Sequence, residues 1–139
     1  MNQAFKTLFV ILTFIGWTAV FAIQPQAQVD HNFSLAIGQS TTIEGTGLEI
    51  KFKAVLEDSR CPINAFCTMA GNGRVALEIL DLGGLSDTAI LNTEEDPKTT
   101  TTKDYKLTLI SLNPPRIEGK SIAEDDYSIT LLVEKSISD

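Results

Sequence analysis

Leu48, Ile50, Phe52, Ala54 and Leu56 occupy alternate positions of one run, and Glu49, Lys51, Lys53 and Glu57 fall largely on the other parity. Successive side chains of an extended chain point to opposite sides, so a strand sorts this pattern into an apolar face and a charged face. A helix would scatter the same charges around its circumference. The run is the cleanest amphipathic strand in the chain.

The same period governs most of the chain from Phe33 to Glu134. Phe33-Ser34-Leu35-Ala36-Ile37 alternates, and Gly38-Gln39-Ser40 turns it. Thr41-Thr42-Ile43-Glu44 is a short second strand, ended by Gly45-Thr46-Gly47. Val75, Leu77 and Ile79 alternate with Arg74, Glu78 and Leu80, with Ala76 interrupting the polar side. Gly83-Gly84 closes that strand, and Thr88 to Thr93 forms a shorter one. From Tyr105 to Leu112 both parities carry apolar residues, which predicts a strand covered on both sides at its end. Asn113-Pro114-Pro115 stops it, because proline cannot donate to a ladder. Tyr127, Ile129, Leu131 and Val133 alternate with Ser128, Thr130, Leu132 and Glu134 in the last strand. Thr99 to Thr102, flanked by Lys98 and Lys103, reads as a β-branched edge or loop with lysine gatekeepers. About seven to eight short, mostly antiparallel strands broken by turn residues predict an all-β, single-domain sandwich or barrel.

The first stretch reads as removable. Lys6 supplies one positive charge, Leu8 to Ile15 is an apolar run, and Val20 and Ala22 stand at −3 and −1 of a cleavage site. That is the layout of a secretory signal peptide over residues 1–22. The 16 residues from Leu8 to Ile23 are short for a membrane span, which needs about 20 apolar residues. Residues 23–32 are polar and read as a flexible lead-in, leaving 33–139 as the β domain. Loss of Lys6 takes 11 basic residues to 10 against 18 acidic, and the net charge from −7 to −8. An acidic domain repels phosphate backbones, so nucleic acid is excluded as an expected partner.

Cys61 and Cys67 are the two cysteines. Export places them in an oxidising compartment, where an even number pairs. A loop this short is worth roughly 2 kcal/mol in the chain-entropy model, so the bridge steadies one loop and does not hold the fold. Arg60 can reach Glu57, Asp58 or loop carbonyls, Pro62 stiffens the chain after Cys61, and Gly71 and Gly73 permit positive φ on the way into the next strand.

The segment Leu56-Glu57-Asp58-Ser59-Arg60-Cys61-Pro62, then Cys67, then Ala70-Gly71-Asn72-Gly73-Arg74-Val75 resembles a group of small exported bacterial proteins of uncharacterised function. The strand Gly47-Leu48-Glu49-Ile50-Lys51-Phe52-Lys53 is similar to that group as well. The resemblance runs from Ser34 to Leu80. Many members carry an aromatic residue before the Ala-Gly pair, where this chain has Met69. The resemblance implies a bacterial, exported, β-rich protein and brings no activity with it.

Catalytic chemistry has little to build on. The single histidine, His31, lies in the lead-in, and a nucleophile needs a positioned base. Gly71-Asn72-Gly73-Arg74-Val75-Ala76 matches a dinucleotide fingerprint only on paper, since a strand and not a helix comes after it. The cysteine spacing is wrong for zinc, and no second Cys/His pair completes a site. The expectation is therefore no cofactor and no catalytic set. A rigid scaffold often presents a recognition loop, and Glu57, Asp58, Arg60, Pro62, Asn64 and Phe66 form the candidate binding loop, facing an envelope or extracellular protein or glycan. Two alternatives stand beside it. Residues 58–67 could act as a protease-inhibitor loop with Arg60 presented. Glu94, Glu95 and Asp96, or Glu124, Asp125 and Asp126, could bind calcium at the surface. The expected location is secreted or periplasmic.

Overall fold

The computed structural model describes residues 26–136. The signal-peptide reading falls on residues 1–22 and lies outside them. Eight strands run β1 (Asn32–Ala36), β2 (Ser40–Ile43), β3 (Leu48–Asp58), β4 (Gly73–Asp81), β5 (Ser86–Asn92), β6 (Thr99–Thr102), β7 (Tyr105–Asn113) and β8 (Ser128–Lys135). They form two four-stranded antiparallel sheets, ordered β1-β8-β7-β6 and β2-β3-β4-β5. The two sheets pack face to face as a sandwich. The barrel alternative is therefore set aside, and the all-β expectation holds.

The core is the inward parity of the strands. Leu48, Ile50, Phe52, Val75, Leu77, Leu91, Leu107, Ile129, Leu131 and Val133 are fully buried. Each such side chain contributes about 1.5–3 kcal/mol on burial. β4 and β8 follow the sequence alternation closely: Val75, Leu77 and Ile79 point inward on one, Ile129, Leu131 and Val133 on the other. Thr99 to Thr102 is an edge strand, paired on one side with β7. Beside it, Lys103 Nζ reaches Asp81 Oδ2 at 2.6 Å and joins the β6–β7 turn to the end of β4 in the other sheet.

Two departures from simple alternation have one cause. In β3 the partner of Phe52 is Leu77 and that of Ala54 is Ala76, so Lys53 is an extra residue; a second extra residue is Leu56. Each is a β-bulge, and each reverses the parity of the residues after it. Val55, not Ala54, thus packs on the core, and Leu56 is 46% exposed. In β7 the register slips between Leu109 and Ser111, leaving Ile110 exposed and Leu112 buried. At the end expected to be covered on both sides, Leu112 is buried and Ser111 and Asn113 are half-buried, while the bulge at Ile110 changes which apolar residue faces the core. The bulges set an order of mutational sensitivity. Leu56→Ser should change stability by less than about 0.5 kcal/mol, whereas Val55→Ala should cost about 1 kcal/mol. Urea unfolding followed by far-UV circular dichroism measures both, and the opposite order would restore plain alternation.

The lead-in is corrected from residue 26 onward. Ala27 N–H donates to Thr42 O at 3.2 Å, Glu44 N–H to Ala27 O at 2.8 Å, and Asp30 N–H to Val133 O at 2.7 Å. Ala27 is buried and Val29 packs against the core. This short piece pairs with the β2 edge through Ala27 and with β8 through Asp30, and it borders an open groove between the β1 and β2 edges.

Candidate functional site

The cysteine loop continues the β3–β4 ladder past the ends of both strands. Ser59 N–H donates to Asn72 O at 2.7 Å, and Cys61 N–H to Ala70 O at 2.8 Å. This close pairing explains the Ala-Gly step. Gly71 has φ +71°, and a Cβ built on it would lie 1.8 Å from Ser59 O. No side chain fits there. Asn72 and Asn92 are buried at the base of the loop. Asn72 Nδ2 donates to Asn92 Oδ1 at 2.8 Å, Asn92 Nδ2 to Pro97 O at 3.2 Å, and Glu94 N–H to Asn72 Oδ1 at 3.2 Å. The pair ties the loop's exit to the turn after β5.

Arg60 points inward. Its Nε and Nη2 grip the two oxygens of Asp58 at 2.7 Å each, a bidentate pair. Nη1 donates to Leu112 O, and Nη2 also to Pro114 O at 2.9 Å. Tyr127 O–H donates to Asp58 Oδ2 at 2.9 Å. Arg116 Nη1 donates to Arg60 O at 2.8 Å. The Arg60 side chain is 14% exposed and that of Asp58 8%. Burial pulls the Asp58 carboxyl upward, but hydrogen bonds from Arg60 and Tyr127, together with the charge of Arg60, outweigh it and hold it below its ordinary 3.8. Burial, and then the Asp58 hydrogen bond and charge, push the Tyr127 hydroxyl above 10.0, against smaller opposing effects of Arg60 and Arg116. The cluster therefore clamps the β3 end, the β7 end and the approach to β8 in one ionised knot. The Asp58 carboxylate, the Arg60 guanidinium and the Tyr127 hydroxyl are paired with one another.

The other anticipated residues divide. Glu57 is exposed, accepts from Ser59 Oγ at 3.2 Å, and lies 3.8 Å from Arg74 Nη2. Pro62 O accepts from Ala65 N–H at 3.2 Å in a tight turn. Asn64 Oδ1 accepts from Glu118 N–H at 2.8 Å, and Ile63 N–H donates to Arg116 O at 3.0 Å. Cys61 and Cys67 form a disulfide with their Cα atoms 6.0 Å apart. Phe66 is fully exposed. The acidic triplets lie apart, Glu94, Glu95 and Asp96 in the turn after β5 and Glu124, Asp125 and Asp126 in a short 3-10 turn before β8. Among the described residues, no three His, Cys, Asp or Glu side chains converge as a cation site.

Sequence reasoning missed three parts of this end of the molecule. Ile63 and Met69 stand out beside Phe66, at 70% and 79% exposure, and Ile117 follows Arg116 on the neighbouring segment. Tyr127 closes on Asp58 across 69 residues of chain. Arg116 braces the loop from the same long connection. The only signal in the sequence was the placement of large apolar residues in a loop with no strand period. No family model, curated protein or solved structure matches the chain.

Proposed function

We propose that this chain is a non-enzymatic exported binding module that docks a protein through its disulfide-braced loop. One observation carries the reading: Ile63, Phe66 and Met69 are held out in water on a loop whose base is locked by the Asp58–Arg60–Tyr127 knot. Displaying large apolar side chains at a braced tip costs solubility and adds nothing to the core, which is the pattern of a recognition surface. A pre-ordered tip also loses little entropy on docking. A protein suits it better than a glycan, because Ile63, Met69 and Ile117 offer no hydrogen-bonding groups to sugar hydroxyls. Export is supported by the leader-like first stretch and by the bridge between Cys61 and Cys67.

The two alternatives have less behind them. An inhibitor loop needs Arg60 presented to a protease, and its side chain is turned in and paired. A calcium site needs several oxygens at one point, and the two acidic triplets sit on separate turns.

The test uses the full chain immobilised against envelope extract and culture medium. The wild type should retain a protein that the triple variant Ile63→Ser, Phe66→Ser, Met69→Ser does not retain. The variant's stability should stay within about 0.5 kcal/mol per site, because the three side chains are exposed. Equal capture by both forms would sink the reading. So would a hydrolytic activity abolished by replacing one specific carboxylate.

A further inference from the structure

We propose that the Cys61–Cys67 bridge is a substrate for thiol–disulfide exchange with a dithiol protein, that attack falls on Cys67 Sγ, and that it releases Phe66 to Met69 while the first half of the loop stays in place. The two halves of the loop are anchored differently. Residues 61–65 are stitched down by Cys61 N–H to Ala70 O, Ile63 N–H to Arg116 O, Ala65 N–H to Pro62 O and Glu118 N–H to Asn64 Oδ1. Among the described residues, 66–69 makes no hydrogen bond or ion pair, and beyond the chain itself its one tie is the sulfur bridge. That half carries Phe66 and Met69 of the apolar tip.

Access points to one sulfur. Cys67 is exposed, whereas Cys61, next to Arg60 in the chain, is half-buried. Exchange requires a thiolate to reach the sulfur it attacks. The incoming thiolate forms a bond to Cys67 Sγ, the Cys61–Cys67 bond breaks, and Cys61 leaves as a thiolate that takes a proton from solvent. The partner's second thiolate then attacks the partner's own sulfur in the mixed disulfide. The partner is left oxidised as a disulfide, and Cys67 departs as a thiolate that is protonated in turn. The bridge gains two electrons and the dithiol loses two. The hydrogen-bonded half keeps its place, and the Phe66–Met69 half becomes a free strap. The consequence for docking rests on the function proposed above; the exchange site does not.

Two measurements on the full oxidised chain test the chemistry. The first mixes it with a dithiol oxidoreductase whose second active cysteine is replaced by serine, which traps the mixed disulfide. Peptide mass mapping should find the adduct on Cys67 in about tenfold excess over Cys61. An adduct mainly on Cys61, or none, overturns the proposal. The second reduces the chain with dithiothreitol and alkylates it. Protease cleavage within 66–69 should rise by about tenfold or more, while the amides of Ile63 and Glu118 keep their hydrogen-exchange protection. Loss of protection at Ile63 and Glu118 would mean that the loop melts as one unit, and would overturn the release of one half. Partner capture by the reduced, alkylated chain is a separate readout. Unchanged capture there would show that docking does not depend on the bridge, overturning the consequence for docking and leaving the exchange site standing.

Discussion

Gly71→Ala should lower the unfolding free energy by about 4 kcal/mol, in the far tail of single substitutions. The added Cβ would meet Ser59 O at 1.8 Å and Ser59 C at 2.6 Å, and both are backbone atoms with no rotamer to yield. Relief requires the two arms of the loop to part. That breaks Ser59 N–H to Asn72 O, and with it Asn72 N–H to Ser59 Oγ at 3.0 Å. It also pulls on the buried Asn72–Asn92 bond, where an orphaned amide is expensive. Gly45→Ala supplies the comparison. Gly45 has a similar φ of +74° but nothing within 4 Å of the added carbon. It should cost about 1–2 kcal/mol, the conformational penalty without the collision. Urea unfolding of both variants by far-UV circular dichroism separates the two contributions. Equal losses would show that the two arms leave room for a Cβ at Gly71.

The Asp58→Ala substitution should cost about 3 kcal/mol. It strands a guanidinium that is 14% exposed, and it removes the acceptor of the Tyr127 hydroxyl. The carbonyls of Leu112 and Pro114 still hold part of Arg60, which keeps the loss at the low end for a broken buried pair. The effect carries a pH signature. The folded-state pKa of Asp58 lies below 3.8, so its ionisation stabilises the fold fully at pH values above 3.8. That contribution fades as the pH falls from 3.8 through the lower folded-state value, since below both the carboxyl is protonated in either state. The stability gap between wild type and Asp58→Asn should therefore narrow as the pH drops below 3.8. A gap that stays constant from neutral pH into that range would contradict the ionised clamp.

Both effects sit at or beside the same fourteen-residue connection, 59–72, and only one of them was half legible. The pairing of Arg60 with a carboxylate follows from Asp58 standing two residues away, though Glu57, three residues away, was an open candidate as well. The structure selects Asp58 because Glu57 follows the bulged Leu56 and is turned out toward Arg74. The rest of the clamp comes from Leu112, Pro114, Arg116 and Tyr127, which are separated from it by 52 to 69 residues. Local pattern carries no information on such partners. The close approach at Gly71 was anticipated only as a tolerance for positive φ; the absence of room for a Cβ depends on where Ser59 lies.

By itself, the sequence determined that this chain makes short antiparallel strands with one apolar face, because alternation, turn residues and proline act within a few neighbours. It also determined that the two cysteines stand close enough along the chain to bridge. Tertiary structure alone decided which strands share a sheet and where Lys53, Leu56 and Ile110 slip out of register. It also decided that Arg60 faces inward while Phe66 faces water. The physical reason is range. Periodicity records which side of a strand is covered, whereas bulges, buried clamps and the exposed tip are set by how two twisted sheets and a long connection fill the space between them.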